Sequence, residues 1–245
     1  MPPQPHSPQA RRIVVITGAG SGIGAAIALH FADHQHLVVC CGRRREACLA
    51  TVQAIENAGG TAQAVACDIR DTSAVENTIS HIIEQHGHID VLIANAGIAE
   101  NRSVIETSDS LLDDILRTNV QGTFSCCRAA FAHMLPRKEG AIITIGSVVS
   151  HKGYPQQAAY AASKHAVLGF TRSLCAEAQP HGIRVACVMP GGVATEMVRR
   201  TRPDLDGNQM IQPEDVANAV RYLVDLPKRI AIDSISIRRW NASPH

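Results

Sequence analysis

The 245-residue chain predicts one α/β domain built on a doubly wound parallel sheet of about seven strands, with helices on both faces. Three observations carry this reading. Apolar, β-branched runs recur at intervals of roughly 25–30 residues, and helix-length segments separate them. The runs are almost continuously apolar rather than alternating, as strands buried on both faces must be. The first run, Ile13 to Thr17, breaks into a glycine turn at Gly18, Gly22 and Gly24 and opens directly into a helix. Glycines there let backbone approach a phosphate and let the helix pack close to its strand, while the helix start aims free N–H groups at the ligand.

The remaining elements follow from local pattern. A helix over Ile23 to Ala32 ends in Asp33-His34-Gln35-His36, read as a solvated helix terminus whose histidines complement the dipole; His86 and His88, around Gly87, are read the same way. Leu37 to Cys41 is a second buried strand, followed by Gly42-Arg43-Arg44-Arg45 and a helix to about residue 58. Thr61 to Cys67 is the third strand, closed by Asp68; Ser73 to His86 is an amphipathic helix; Asp90 to Ala94 is the fourth strand, ending in Asn95-Ala96-Gly97. One long helix is expected over 110–134, with Asn119 and Gly122 inside it as poor helix formers whose cost implies a purpose. Ala141 to Ile145 is the fifth strand, 157–179 a helix, Ile183 to Met189 the sixth strand, ending in Pro190-Gly191-Gly192. Residues 196–212, with Pro203, Asp204, Asp206 and Gly207, read as an irregular, mobile lid; Pro213 opens a last helix, and Ile230 to Ile237 alternates as a final strand.

Composition excludes several partners. A formal net charge of +1, with no basic run longer than Arg43-Arg44-Arg45, argues against nucleic acid and anionic membranes and for a small molecule. No segment reaches the roughly 18 apolar residues of a membrane span. Residues 1–11, rich in Pro, Gln and Arg, read as a disordered tail before a domain over 12–245. The eight cysteines lie mostly inside apolar runs and form neither a Cys-x-x-Cys pair nor a zinc spacing, so they read as reduced, buried thiols of a cytoplasmic protein that holds no metal.

Three groups carry chemistry. In dinucleotide folds an acidic residue about 20 positions past the glycines holds a ribose 2′-hydroxyl, whereas arginine accommodates a 2′-phosphate. Residues 37–45 contain no Asp or Glu, so Arg43 and Arg44 point to a phosphorylated ribose. Tyr160 and Lys164 stand four apart on one helix face, where an ammonium favours a phenolate and draws the phenol towards acid–base work near neutrality. Ser147, at the carboxyl end of the fifth strand, stands on the rim where ligands of such sheets bind and can share a substrate oxygen with Tyr160.

With these pieces in order, Thr17-Gly18-x-x-x-Gly22-x-Gly24, Asp68, Asn95-Ala96-Gly97, Asn119, Ser147, Tyr160-x-x-x-Lys164 and Pro190-Gly191-x-x-x-Thr195, the chain resembles the short-chain dehydrogenase/reductase family from Arg12 to Ile237. The resemblance implies a Rossmann-type oxidoreductase that uses NADP(H) to interconvert a carbonyl and a secondary alcohol. It makes Tyr160 the proton donor or acceptor, Ser147 the residue that orients the carbonyl, Lys164 the partner of the nicotinamide ribose and Asn119 part of a proton relay. Asp68 would meet the adenine with Ile69 beside it, Asn95, Ala96 and Gly97 would lie near the ribose, and Thr17, Ser21, Ile23, Pro190, Gly191, Val193 and Thr195 would complete the cofactor site. Two departures stand out: Ala94 precedes Asn95 where a second asparagine is commoner, and Ser236 to Trp240 lacks the Gly-Gly that many members carry. The family forms dimers or tetramers through the two long helices, so a homodimer or homotetramer is expected.

The substrate wall expected beside Ser147 and Tyr160 consists of Val148, Val149, His151, Tyr154, Ile98, Val193 and Met197, which fits a small, mainly apolar carbonyl compound. Arg199, Arg200 and Arg202 on the lid keep a carboxylate substrate open as an alternative. An NADP-dependent hydroxy-acid or alcohol dehydrogenase, and a regulator that binds NADPH without turnover, are the other readings.

Overall fold

A computed structural model describes residues 11–201 and 206–242. Its sheet runs in the order β3-β2-β1-β4-β5-β6-β7 with every neighbouring pair parallel. The strands are β1 (Arg12–Thr17), β2 (His36–Gly42), β3 (Thr61–Ala66), β4 (Val91–Ala94), β5 (Ala141–Ile145), β6 (Arg184–Pro190) and β7 (Ser234–Ile237). Helices α1 (Gly22–His30), α2 (Arg45–Asn57) and α8 (Pro213–Asp225) cover one face; α3 (Thr72–His86), α5 (Thr123–Arg137) and α6 (Ala158–Ala178) cover the other. Strand side chains alternate between these layers. Val14 and Ile16 join Ile27, Phe31 and Val220 on the first face, while Ile13 and Val15 join Ile79, Ile82 and Met134 on the second. A strand buried on both faces has no polar positions to spare, which explains the continuous apolar runs. Strand order reverses between β1 and β4, and that crevice is where such sheets bind ligands.

Three sequence expectations change. The helix expected over 110–134 is α4 (Asp109–Leu116), a π-helical segment over Arg117–Gly122, and α5. Asn119 and Gly122 both fall in the π segment. A Cβ on Gly122 would lie 2.7 Å from the Ile69 side chain and 3.0 Å from the Ile69 carbonyl, so only a bare backbone can cross the loop after β3 this closely. Residues 196–212 are not irregular throughout. Glu196–Thr201 forms a helix, α7, capped by Thr195, whose Oγ1 accepts from the Val198 N–H at 3.4 Å, and a 3₁₀ turn occupies Gly207–Gln209. The last strand begins at Ser234 rather than Ile230, because the Arg184 guanidinium gathers the carbonyls of Val224, Leu226 and Pro227 and holds the chain leaving α8 away from the sheet. The expected tail lies outside the described residues, apart from Arg11.

The histidines at the end of α1 divide. His34 is exposed as expected, but His36 is the first residue of β2 and is buried, edge-on to Phe31 with ring centroids 5.1 Å apart. Its Nδ1 pairs with Asp33, and its Nε2 is buried with no hydrogen-bond partner. A lone pair can be left in such a place more cheaply than an N–H, so the ring is held neutral. All eight cysteines are free and seven are buried. Among the described residues no helix is long and apolar enough to cross a membrane.

Burial pushes the His36 imidazole below its ordinary 6.5, against the opposing pull of Asp33 and with the help of the Arg221 and Arg12 charges. A pKa depressed in the folded state supplies stability above pH 6.5 that is lost as pH falls, at up to about 1.4 kcal/mol per unit. Urea unfolding between pH 7.5 and 5 should therefore show a loss that His36→Phe removes; an unchanged slope in the variant would overturn the assignment.

Candidate active site

The glycine turn is held by side chains from the neighbouring strand. Asn95, just past β4, donates from Nδ2 to the carbonyls of Thr17 at 2.9 Å and Gly18 at 3.3 Å. Thr17 Oγ1 accepts in return from the N–H groups of Asn95 and Ala96, both at 3.1 Å. A Cβ on Gly24 would stand 2.2 Å from the Gly18 carbonyl oxygen and 2.5 Å from Asn95 Nδ2, so α1 can begin here only without a side chain. Ser21 supplies no side-chain cap, which leaves the first-turn N–H groups of α1 to the cavity. A concave space of about 470 Å³ opens above them.

That cavity joins the elements the sequence singled out. Its floor is Gly18, Ser21, Gly22 and Ile23; Arg43 and Arg44, both exposed, stand at the β2 end with Asp68 and Ile69 of the loop after β3; Asn95 to Gly97 and Pro190, Gly191, Val193 and Thr195 form the flanks. Ser147, Tyr160, Lys164 and Met197 close the other end. Thr17 and Gly24 lie beneath the turn rather than on the cavity wall, and Thr17 acts on Asn95 instead. Val149 is buried outside the wall, and His151 and Tyr154 are exposed outside it. Arg200 lines the cavity, with Nη2 donating to the Ala99 carbonyl and to Glu100, each at 3.3 Å; Arg199 does not line it, and Arg202 lies outside the described residues.

The reacting end is built from buried polar links. Ser147 begins a 3₁₀ turn, its Oγ accepting from the Val149 N–H at 3.3 Å. Ser150 Oγ accepts from the Ser147 N–H at 3.3 Å and donates to the Lys164 carbonyl at 2.9 Å, which ties the turn to α6. Lys164 is buried; its Nζ donates to the Ile145 carbonyl at 2.8 Å and lies 5.8 Å from the centroid of the Tyr160 ring. Asn119, fully buried, clamps Ile98 with both amide atoms, Oδ1 to N at 2.8 Å and Nδ2 to O at 2.9 Å. Its Nδ2 also reaches Ser163 Oγ at 3.0 Å, and that hydroxyl donates to the Tyr160 carbonyl at 2.7 Å. Asn119 therefore stands behind the cavity, one link from the Tyr160 backbone.

Electrostatics here differ from expectation in one respect. Burial raises the Tyr160 phenol above its ordinary value, with the Ser147 hydroxyl opposing, and the Lys164 ammonium does not draw it down. Burial lowers Lys164 to about 8. The reason is geometric: the ammonium is turned to the Ile145 carbonyl and lies over the tyrosine ring, not at its hydroxyl. At the opposite end, Asp68 is held below the ordinary carboxylate range, first by hydrogen bonding from Arg70 and also by the charge of Arg43. Sequence reasoning missed Arg70, Thr118 and the three-glycine turn's neighbour Ala47 as wall residues. Only tertiary packing brings them in, Ala47 on α2, Arg70 on the loop after β3 and Thr118 on the π segment.

Comparison with known proteins identifies relatives of the chain. A model of the short chain dehydrogenase family matches residues 12–206. A short-chain reductase protein, NovJ, of Streptomyces niveus is 36% identical over 228 residues, covering 93% of this chain and 87% of that protein. The 3-oxoacyl-[acyl-carrier-protein] reductase FabG of Staphylococcus aureus is 33% identical over 233 residues, covering 91% and 95% respectively. Among solved structures, a metagenomic short-chain oxidoreductase in complex with NADP superposes with a TM-score of 0.83 at 29% identity, over 95% of this chain and 98% of that one. With the family model spanning most of the chain and relatives matching nearly end to end, this protein belongs to the short-chain dehydrogenase family of oxidoreductases.

Proposed function

We propose that the protein is an NADP(H)-dependent reductase of a small, mainly apolar carbonyl compound, with Tyr160 as the proton donor. The observation that supports it most is convergence: the open N-terminus of α1, a pair of arginines and the Ser147, Tyr160 and Lys164 side chains share one cavity. The residues fit a dinucleotide. Gly22 leaves room above the first turn of α1, the N–H groups there attract a diphosphate, and the exposed Arg43 and Arg44 suit a 2′-phosphate. Ile69 and Asp68 would receive the adenine, Asn95, Ala96 and Gly97 would flank a ribose, and Pro190, Gly191, Val193 and Thr195 would border the nicotinamide side. When bound, the cofactor supplies or accepts hydride.

The chain's own residues then handle the oxygen and its proton. Ser147 holds the carbonyl oxygen by hydrogen bonding, and Tyr160 donates the proton to that oxygen. Burial keeps the phenol protonated, the form that donation to a carbonyl oxygen requires. Lys164 holds a ribose hydroxyl by its ammonium, and Asn119 fixes the backbone of Ile98 and, through Ser163, that of Tyr160. Ile98, Val193 and Met197 give the substrate end an apolar wall. The reading includes a single catalytic domain over 12–245 and a homodimer or homotetramer through α5 and α6, whose Phe124 and Phe170 rings meet at a 46° tilt with centroids 4.9 Å apart and Phe124 exposed. Free, buried thiols support a reducing, cytoplasmic setting.

Titration with both cofactors should show NADPH bound roughly ten- to hundredfold more tightly than NADH, a preference that falls when Arg43 and Arg44 become alanine. Equal affinity in the parent protein would overturn the cofactor assignment. Tyr160→Phe should keep NADPH binding and lower kcat by about 10²–10⁴-fold on any accepted ketone; a variant retaining most of its rate would show that another acid acts. Because Lys164 sits near 8 in the free protein, NADPH affinity should weaken as pH rises above 8, and Lys164→Met should be weaker throughout with that pH dependence gone.

A further inference from the structure

Among the described residues that line the cofactor cavity, Arg70 turns its guanidinium onto a residue of the cofactor site, Asp68. Its Nη2 donates to Asp68 Oδ2 at 2.6 Å, its Nε lies 3.1 Å from both carboxylate oxygens, and its own backbone N–H donates to Oδ1 at 3.1 Å. The outer guanidinium nitrogen, Nη1, stands 3.7 Å from Asp114 on α4, so the fork is steadied from behind. Both residues line the cavity at the end where Arg43 and Arg44 stand.

A carboxylate offers about four acceptor directions. Three donors of Arg70 take up most of them, and the planar fork fixes the plane in which the remainder points. A carboxylate locked in this way stays ionised and can accept about one further hydrogen bond, from one direction. A free aspartate at the end of a strand would rotate and satisfy itself with water.

We propose that Arg70 is a positioning residue for the base end of the cofactor, holding Asp68 as a fixed acceptor for the exocyclic amino group of adenine. The assignment rests on the reading of Asp68 as the adenine partner. It predicts selectivity for the base that is separate from the selectivity for the 2′-phosphate carried by Arg43 and Arg44. Hypoxanthine, with a carbonyl in place of the amine, turns an acceptor towards the carboxylate and is rejected only if Asp68 cannot rotate away.

The test measures dissociation constants of NADPH, NADH and deamino-NADPH, which carries hypoxanthine, for the parent protein, Arg70→Ala, Arg70→Lys and Asp68→Asn. The parent should prefer NADPH to deamino-NADPH by roughly tenfold. Arg70→Ala should bring that ratio close to one while leaving the NADPH-to-NADH ratio intact, a split that general damage to the fold would not produce. Arg70→Lys keeps a charge but not the fork and should resemble the alanine variant. Full recovery by lysine, or equal weakening of all three cofactors in Arg70→Ala, would overturn the positioning role. A parent protein indifferent to the base would instead overturn the Asp68 reading beneath it, and an Asp68→Asn variant that alone loses the ratio would leave that reading standing and remove Arg70 from it.

Discussion

Everything above the carboxyl edge of the sheet depends on how closely α1 sits against the turn that precedes it. The missing side chain of Gly24 lets the Gly18 carbonyl and the Asn95 amide occupy the space a Cβ would need, and the Asn95 amide then binds the Thr17 and Gly18 carbonyls. Thr17 closes the exchange by accepting two N–H groups from the chain after β4. The ends of β1 and β4 are thus joined across the switch point, where parallel strands have no further ladder bonds to offer. With the backbone carbonyls satisfied inward, the N–H groups at the start of α1 remain for a ligand. The sheet topology creates the crevice, and this pair of residues sets its depth.

The reacting end shows a second use of buried polarity. Lys164 and Tyr160 are both held in their less charged direction by burial, and buried polar atoms of this kind need partners. Ile145 receives the ammonium, and two short chains, Ser147–Ser150–Lys164 and Asn119–Ser163–Tyr160, fix the backbone on either side of it. The π segment in the helix of Asn119 belongs to this arrangement. Its wider turn carries Asn119 inward to both polar atoms of Ile98 while Gly122 passes Ile69 at close range. Charge is also sorted along the cavity. Arginines and Asp68 stand at one end, whereas the wall beside Tyr160 is largely apolar, with Arg200 tethered to Ala99 and Glu100 at its margin. Asn101 Nδ2 donates to the Thr201 carbonyl at 2.6 Å, so α7 is docked on the loop after β4 at two points.

Much of the architecture was legible because its causes are local or periodic. Doubly buried strands demand unbroken apolar runs, a helix that starts at a phosphate site demands glycine, and Tyr160 and Lys164 share a helix face by spacing alone. Those constraints act on neighbours in sequence, so the buried strands, the glycine turn and the reacting trio could be read from residues in a row, whereas the reversal of strand order between β1 and β4 came from the structure. Tertiary structure decided what depends on contacts between distant segments. Burial rather than the neighbouring ammonium governs the Tyr160 phenol, because Lys164 turns to a carbonyl on another element. His36 is a core residue because β2 starts beneath Phe31. Arg70 becomes a clamp for Asp68 only through its rotamer and the backing of Asp114. Sequence determines which groups are present and the period on which they recur; desolvation and hydrogen-bond direction, which set what those groups do, exist only once the chain has brought them together.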